Sequence, residues 1–188
     1  MKEIVESGMV FGKFLEENLF QIENSSLHLS FGKNVKTVEF ILLQERDRIL
    51  FVEAKSSCPN AENKDESSQK NEKFEAYYRE ITEKFIDSLQ MFFVFFLGRN
   101  SYADAIGSNL KEKKHYEKTK FCFVLVIKNA ENEEWLSGPK AELEARLKHM
   151  LKIWNAKILV LNETLAVQYG LLKNDRIIYS ENGDINQL

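Results

Sequence analysis

The motif Glu-Ala-Lys at 53–55 places a carboxylate and an ammonium group at the end of the apolar run 49–52. Successive side chains of a strand point to opposite faces, so Glu53 and Lys55 are predicted to share one face. A further acid, Glu39, interrupts the preceding apolar run, 35–43. A buried charge costs on the order of several kcal/mol unless it is paired or binds a metal ion. These three residues are therefore the first candidates for a functional site.

The chemistry that the three residues suit is phosphodiester hydrolysis. The connection 44–48 is short and charged, which predicts a hairpin that brings Glu39 near Glu53 and Lys55. Two carboxylates on adjacent strands form a hard oxygen site that suits Mg²⁺ together with water and phosphate oxygens. A lysine beside such an ion can orient the attacking water and offset charge in the transition state.

A purely structural interpretation of these residues stays open. Glu39 could be solvated at the edge of the sheet, and Glu53 and Lys55 could form a partly exposed pair. Such pairs contribute about 0–1 kcal/mol and need no function. We favour the metal site, because three charged groups interrupt two adjacent apolar strands.

The periodicity of apolar residues predicts the elements that position the site. Helical spacing predicts helices over 10–22, 74–97, 139–154 and 163–172. Alternating or continuous apolar runs predict strands at 27–31, 35–43, 49–54, 121–127 and 158–161. This order predicts an α/β fold with a mixed central sheet flanked by helices.

The chain of 188 residues is predicted to form a single domain. The polar segment at about 56–72 predicts a mobile loop beside the site, and the residues from about 173 predict an irregular C-terminal extension. The longest apolar stretch, 91–97, is far shorter than the roughly 20 residues of a membrane-spanning helix. The mixed, acidic first residues do not form an export leader, so we expect a cytoplasmic protein without a membrane partner.

Other site chemistries have weaker support. Cys58 and Cys122 form no CxxC pair, which argues against a structural zinc site, and no local motif ties a histidine to Cys58 as a thiol nucleophile. Glycine-rich nucleotide-binding motifs are missing from the sequence. The net charge of −3 does not indicate a nucleic-acid binder by itself. A local basic run could nevertheless contact phosphates or simply be a solvated loop, and it contains Lys111, Lys113, Lys114 and Lys118.

Glu39, Glu53 and Lys55, together with the order of elements from 10 to 127, resemble the PD-(D/E)xK nuclease superfamily. Its restriction-endonuclease-like fold has a core of helix, three strands, helix and strand. The resemblance implies that Glu39 and Glu53 bind the metal ion and that Lys55 is the catalytic lysine. Many members add an acid from the first helix, which implies Glu16 as a further ligand. The first acid of the superfamily is usually Asp, often after Pro, whereas here Glu39 follows Val38.

The resemblance implies a Mg²⁺-dependent deoxyribonuclease, with Mn²⁺ able to substitute. DNA would be the partner, and the four lysines of the basic run would meet its phosphates. A homodimer stays open, since nucleases that cut both strands are commonly dimers. The alternative function is a non-catalytic regulatory or protein-interaction domain on the same fold, with a decayed site. A small-molecule hydrolase is a third candidate, which predicts a deep apolar pocket without a basic rim.

Overall fold

The computed structural model of the protein describes residues 1–32, 34–45, 47–59, 68–99, 106–112, 116–130 and 132–173. The strands are β1 (Lys2–Glu6), β2 (Met9–Phe14), β3 (Leu19–Phe20), β4 (Phe40–Gln44), β5 (Arg48–Lys55), β6 (Lys120–Ile127) and β7 (Lys157–Asn162). The α-helices are α1 (Ser26–Ser30), α2 (Ser68–Phe96), α3 (Ser108–Lys111), α4 (Ser137–Arg146), α5 (Lys148–Trp154) and α6 (Glu163–Gln168).

A five-stranded mixed sheet in the order β3-β4-β5-β6-β7 forms the centre of the protein. The pairs β3–β4 and β4–β5 are antiparallel, whereas β5–β6 and β6–β7 are parallel. The predicted hairpin is confirmed, since Phe40 of β4 lies opposite Val52 of β5. β5 and β6 are buried along most of their length, as continuous apolar runs predict for central strands. The predicted α/β class with a mixed sheet packed against helices is therefore confirmed.

The two faces of the sheet have separate apolar cores. On one face, Phe51 and Phe123 pack against Phe85 of α2, and α4 contributes to the same cluster. On the other face, the side chains of Phe40 and Val52 pack with the β1–β2 hairpin and with α6. Because side chains alternate along β5, Phe51, Glu53 and Lys55 belong to the face that α2 covers.

The predicted helix over 10–22 is wrong, because this segment forms β2, a 3-10 turn and β3. β1 and β2 are antiparallel and joined by Ser7 and Gly8, whose φ angles of 50° and 73° suit a tight two-residue hairpin turn. Phe11 matches helical spacing in the sequence, yet it packs from a strand against the ring of Phe40 at 5.4 Å. The Ser7 hydroxyl donates to the Ala54 carbonyl at 2.9 Å, which attaches the turn to the end of β5.

The predicted strand over 27–31 is also wrong, since α1 occupies this segment. Ser25 caps the helix by accepting a hydrogen bond from the His28 N–H at 3.1 Å. The alternating pattern predicts a buried side chain at Leu29, but this side chain is 67% exposed. Alternation of so few residues cannot distinguish a half-buried strand from a short surface helix.

The segment before β4 bonds to α2 instead of extending the strand. The Val38 N–H donates to Ser88 Oγ at 2.9 Å, and the Lys36 N–H donates to Asp87 Oδ2 at 3.0 Å. The strand predicted at 35–43 therefore begins only at Phe40. These bonds fix α2 beside the segment that carries Glu39.

The remaining helices differ from prediction mainly at their ends. α2 begins at Ser68, so the last residues of the predicted mobile loop are helical, and 60–67 lie outside the described residues. The predicted helix over 139–154 is divided into α4 and α5. The predicted C-terminal extension lies outside the described residues from 174 onward. Within the part of the chain that is described, no helix is long and apolar enough to cross a membrane.

Candidate active site

Glu53 and Lys55 lie at the end of β5, on the face that α2 covers, as the alternation predicts. Glu53 is 0% exposed, and its Oε1 atom lies 3.1 Å from Lys55 Nζ. Lys55 also donates to Glu80 Oε1 of α2 at 2.8 Å. The lysine is thus held between a buried carboxylate and one that reaches solvent.

Glu39 lies immediately before β4 and is 7% exposed. Its N–H donates to the Val52 carbonyl at 3.1 Å, which fixes its backbone beside β5. Lys84 of α2 connects the two predicted acids, because its Nζ atom lies 2.8 Å from Glu53 Oε1 and 3.6 Å from Glu39 Oε1. The structure therefore brings Glu39, Glu53 and Lys55 to one end of the sheet, around a lysine that the sequence analysis did not identify.

Two further acids approach Glu39 from other elements. Glu6 ends β1, and Glu23 lies between β3 and α1. One carboxylate oxygen from each of Glu6, Glu23 and Glu39 lies within 4.8 Å of the others. Glu39 Oε2 is buried, and no described residue donates a hydrogen bond to it. This arrangement concentrates negative charge beside the Glu39–Lys84–Glu53 group.

Burial and neighbouring charges shift the pKa of each acid in the group. Burial, a hydrogen bond with the Glu23 carboxyl and the charge of Glu53 raise the pKa of Glu39 to about 9, although Lys84 opposes them. The two carboxyl groups can share a proton, and Glu39 Oε2 is without a donor once both are ionised. Burial also raises the pKa of Glu53, against the opposing charges of Lys84 and Lys55. Burial and the charge of Glu23 raise the pKa of Glu6.

Burial and neighbouring charges also act on the pKa values of the two lysines, where burial lowers the pKa and nearby carboxylates raise it. Burial alone would lower the pKa of Lys84, but the charge of Glu53 and the hydrogen bond to it raise that pKa. Burial would also lower the pKa of Lys55. The charge of Glu53 and the hydrogen bond to Glu80 outweigh this effect, so the pKa of Lys55 is raised. Both ammonium groups are therefore charged at neutral pH, and they face more carboxyl groups than they can neutralise.

A polar cleft of about 550 Å³ runs along β3 and reaches Glu23. Lys2, Gln21 and Asn24 line it together with Glu16. This cleft differs from the deep apolar pocket that a small-molecule hydrolase would require. An apolar groove of about 530 Å³ does exist between α2 and α5, but none of the acids described above lines it.

Glu16 is not brought to the other predicted ligands. It lies in a 3-10 turn (Glu16–Asn18), is exposed, and pairs with the N-terminal ammonium group at 3.3 Å. Among the contacts of the described residues, none joins it to Glu39 or Glu53. Its role as a metal ligand stays a prediction, and the helix that was expected to present it is absent from this segment.

Lys118 of the basic run lies far from Lys55. Lys118 precedes β6, whose first residue, Lys120, pairs with Arg48 at the start of β5. Because β5 and β6 are parallel, Lys118 lies beyond the opposite end of β5 from Lys55, a length of about 23 Å at about 3.3 Å per residue. Lys111 ends α3, and Lys113 and Lys114 lie outside the described residues. A DNA contact by these lysines stays a prediction.

The cysteines do not form a nucleophilic site. Cys58 Sγ lies 3.3 Å from the Tyr78 hydroxyl, and burial raises the pKa of its thiol. A raised pKa disfavours the reactive thiolate. Cys122 is buried in β6, and both cysteines are free.

The sequence contained signals for part of what was missed. The dipeptide Ser7-Gly8 is a turn signal, and it would have placed Glu6 at the end of a hairpin strand. Ser25, two positions before the apolar Leu27, is a helix-start signal, which would have placed Glu23 in a connection. Lys84 and Glu80 are spaced four residues apart on α2, but nothing in the sequence separates them from the other charges of that helix.

Comparison of the chain with protein-family models, with curated proteins and with solved structures finds no match. The geometry of the site is therefore the basis for a functional proposal.

Proposed function

We propose that the protein is a metal-dependent nuclease that hydrolyses DNA phosphodiester bonds, on a restriction-endonuclease-like fold. One observation carries the proposal: two buried carboxylates, Glu39 immediately before β4 and Glu53 in β5, lie with Lys55 at one end of the sheet. This is the residue set that the resemblance to the PD-(D/E)xK superfamily implies. The order β3, β4, β5, α2, β6 follows the order of strands, helix and strand in the superfamily core. The β1–β2 hairpin lies where the first helix of that core would be.

The donor atoms fit a hard divalent cation. Glu39 Oε2 is buried without a hydrogen-bond donor, and all the acidic ligand atoms are oxygens, which Mg²⁺ and Mn²⁺ prefer. Glu39 and Glu53 would hold the ion. When bound, Mg²⁺ polarises a phosphoryl oxygen and lowers the pKa of a coordinated water molecule.

The residues of the chain have distinct tasks in this mechanism. Lys55 orients the attacking water and donates a hydrogen bond to a phosphate oxygen, which offsets charge in the transition state. Glu80 acts as a positioning residue, since its carboxylate fixes the Lys55 ammonium group at 2.8 Å. Lys84 neutralises Glu53 in the metal-free protein and has to move away from the two carboxylates before a cation can lie between them.

Replacing Lys55 with Ala tests the mechanism. We expect the wild type to cleave DNA in Mg²⁺ or Mn²⁺ and the Lys55→Ala variant to lose at least about 100-fold in rate. The substrates are duplex, single-stranded and branched DNA, with cleavage followed on gels. Lys36→Ala is the matched control, because Lys36 also pairs with a glutamate of α2, Glu83, but lies outside the acid group.

The control should cleave at the wild-type rate, and circular dichroism should show that both variants fold. Full activity of a folded Lys55→Ala variant would discard the mechanism.

A second candidate function is a non-catalytic regulatory or interaction domain. The position of Lys84 favours it, because an ammonium group already lies where a cation would bind between Glu39 and Glu53. Calorimetric titration with Mg²⁺ and Mn²⁺ separates the two candidates. A nuclease should lose a metal-binding event in Glu53→Gln, because Glu53 would hold the catalytic ion, whereas in a decayed site Glu53→Gln should leave the heat of binding unchanged.

A further inference from the structure

The two carboxylate oxygens of Glu39 have different surroundings. Oε1 lies 3.6 Å from Lys84 Nζ, on the side of Glu53. Oε2 is buried and receives no hydrogen bond from a described residue. Ionising Glu39 would leave this buried oxygen without a donor, which is costly, so a cation bound to the carboxylate would stabilise the ionised form.

Glu6 and Glu23 lie close to the Glu39 carboxylate, because each contributes an oxygen to a group that includes one Glu39 oxygen and spans no more than 4.8 Å. Divalent cations bind carboxylate oxygens at about 2.0–2.6 Å, so oxygens at this spacing fit around one ion. The three acids come from β1, from the connection after β3 and from the segment before β4. The fold, and not proximity in the sequence, therefore assembles them.

The group is also accessible from solvent. Glu6 and Glu23 are half-buried, and Glu23 lines the polar cleft of about 550 Å³ along β3. An ion could therefore enter and retain water ligands on the open side, as Mg²⁺ does in most protein sites.

We propose that Glu6, Glu23 and Glu39 form a divalent-cation site of their own, separate from the position between Glu39 and Glu53. The inference goes beyond the nuclease proposal, with which it shares Glu39. The ammonium group of Lys84 lies 2.8 Å from Glu53 Oε1 and blocks the inner position until it moves. Among the described residues, the ion pairs of Lys84 are with Glu39 and Glu53 and not with Glu6 or Glu23, so we expect the outer site to fill at the lower metal concentration. Its all-oxygen donors select Mg²⁺, Mn²⁺ or Ca²⁺ over softer metals.

Titration of the full chain with Mn²⁺, with free Mn²⁺ measured by electron paramagnetic resonance, tests the outer site. We expect the wild type to bind Mn²⁺ and both Glu6→Gln and Glu23→Gln to bind it at least about tenfold more weakly, because each loses a charged ligand. Glu83→Gln is the matched control, since it removes the same charge from a half-exposed glutamate that pairs with Lys36 outside the acid group. It should bind Mn²⁺ as the wild type does.

Each outcome has a defined meaning. Glu6 and Glu23 are partly exposed, so their Gln variants should fold, and thermal melts without metal will verify this. If Glu6→Gln and Glu23→Gln both bind Mn²⁺ with wild-type affinity, the outer site is overturned. The nuclease proposal would still be supported in that case if the wild type cleaves DNA with metal and Lys55→Ala does not. Mn²⁺ binding that needs Glu6 and Glu23, without any DNA cleavage, would support the site and overturn the nuclease. A wild type that binds no Mn²⁺ would overturn both.

Discussion

The middle and the C-terminal end of α2 cover the same face of the sheet but bury opposite kinds of side chain. Near the middle of the helix, Glu80 and Lys84 face the buried carboxylates. Near its C-terminal end, Phe92 and Phe96 pack ring to ring at 4.7 Å, and both rings contact Tyr116. Burying rings stabilises the fold, whereas burying carboxylates opposes folding unless a cation compensates them. The aromatic end therefore stabilises the docking of α2, on which the charged middle of the helix depends.

The largest expected effect comes from the aromatic end. Phe92 is fully buried, so Phe92→Ala should lower the free energy of unfolding by about 3–5 kcal/mol through lost burial and a residual cavity. Urea unfolding measures the change. Leu97→Ala is the control, because Leu97 is 71% exposed and its loss should change stability by no more than about 0.5 kcal/mol. Similar losses in both variants would contradict the assignment of stability to the buried rings.

A somewhat smaller effect on stability is expected in the charged middle of α2. Lys84→Met removes one of the two ammonium groups that neutralise buried Glu53, and it should lower the free energy of unfolding by about 3 kcal/mol in the absence of metal. Lys36→Met removes a half-exposed pair with Glu83 and should cost about 0–1 kcal/mol. If both variants unfold at the same urea concentration, the Lys84–Glu53 pair does not stabilise the site.

The third effect concerns pH and, taken per pH unit, is smaller than the other two. The pKa of Glu39 is raised from 4.5 to about 9 in the folded protein, so the folded chain retains a proton that the unfolded chain loses between these values. Stability therefore falls as pH rises through this window, by up to about 1.4 kcal/mol per pH unit from this group. Glu39→Gln should remove that slope. Urea unfolding at pH 6 and pH 8 with a chelator measures it, and an unchanged slope in Glu39→Gln would mean that Glu39 is not the titrating group.

The sequence predicts the central strands and the geometry of the motif well. β5 and β6 are continuous apolar runs, and such runs of this length are typical of buried parallel strands. Period-two alternation alone placed Glu53 and Lys55 on one face, which the structure confirms. The hairpin between β4 and β5 then brings Glu39 alongside, through the bond from its N–H to Val52. These features are local, so local patterns predict them.

The N-terminal part of the chain was predicted wrongly because its apolar residues belong to separate strands. Phe14 and Leu19 match helical spacing, yet the first ends β2 and the second begins β3. The positions of Glu6 and Glu23 near Glu39 depend on how the hairpin docks on the sheet. The burial of Lys84 depends similarly on how α2 crosses β5. Such long-range packing has no signature in the spacing of residues.

The attachment of the Ser7–Gly8 turn to the end of β5 has a consequence for the whole N-terminal region. Glu6 belongs to the two-stranded sheet, whereas Glu39 is bonded to the five-stranded one. An ion shared by these two acids would act as a reversible cross-link, restricting the open chain between residues 6 and 39 much as a disulfide does. The anchoring of the hairpin would then respond to the ionic composition of the surrounding medium.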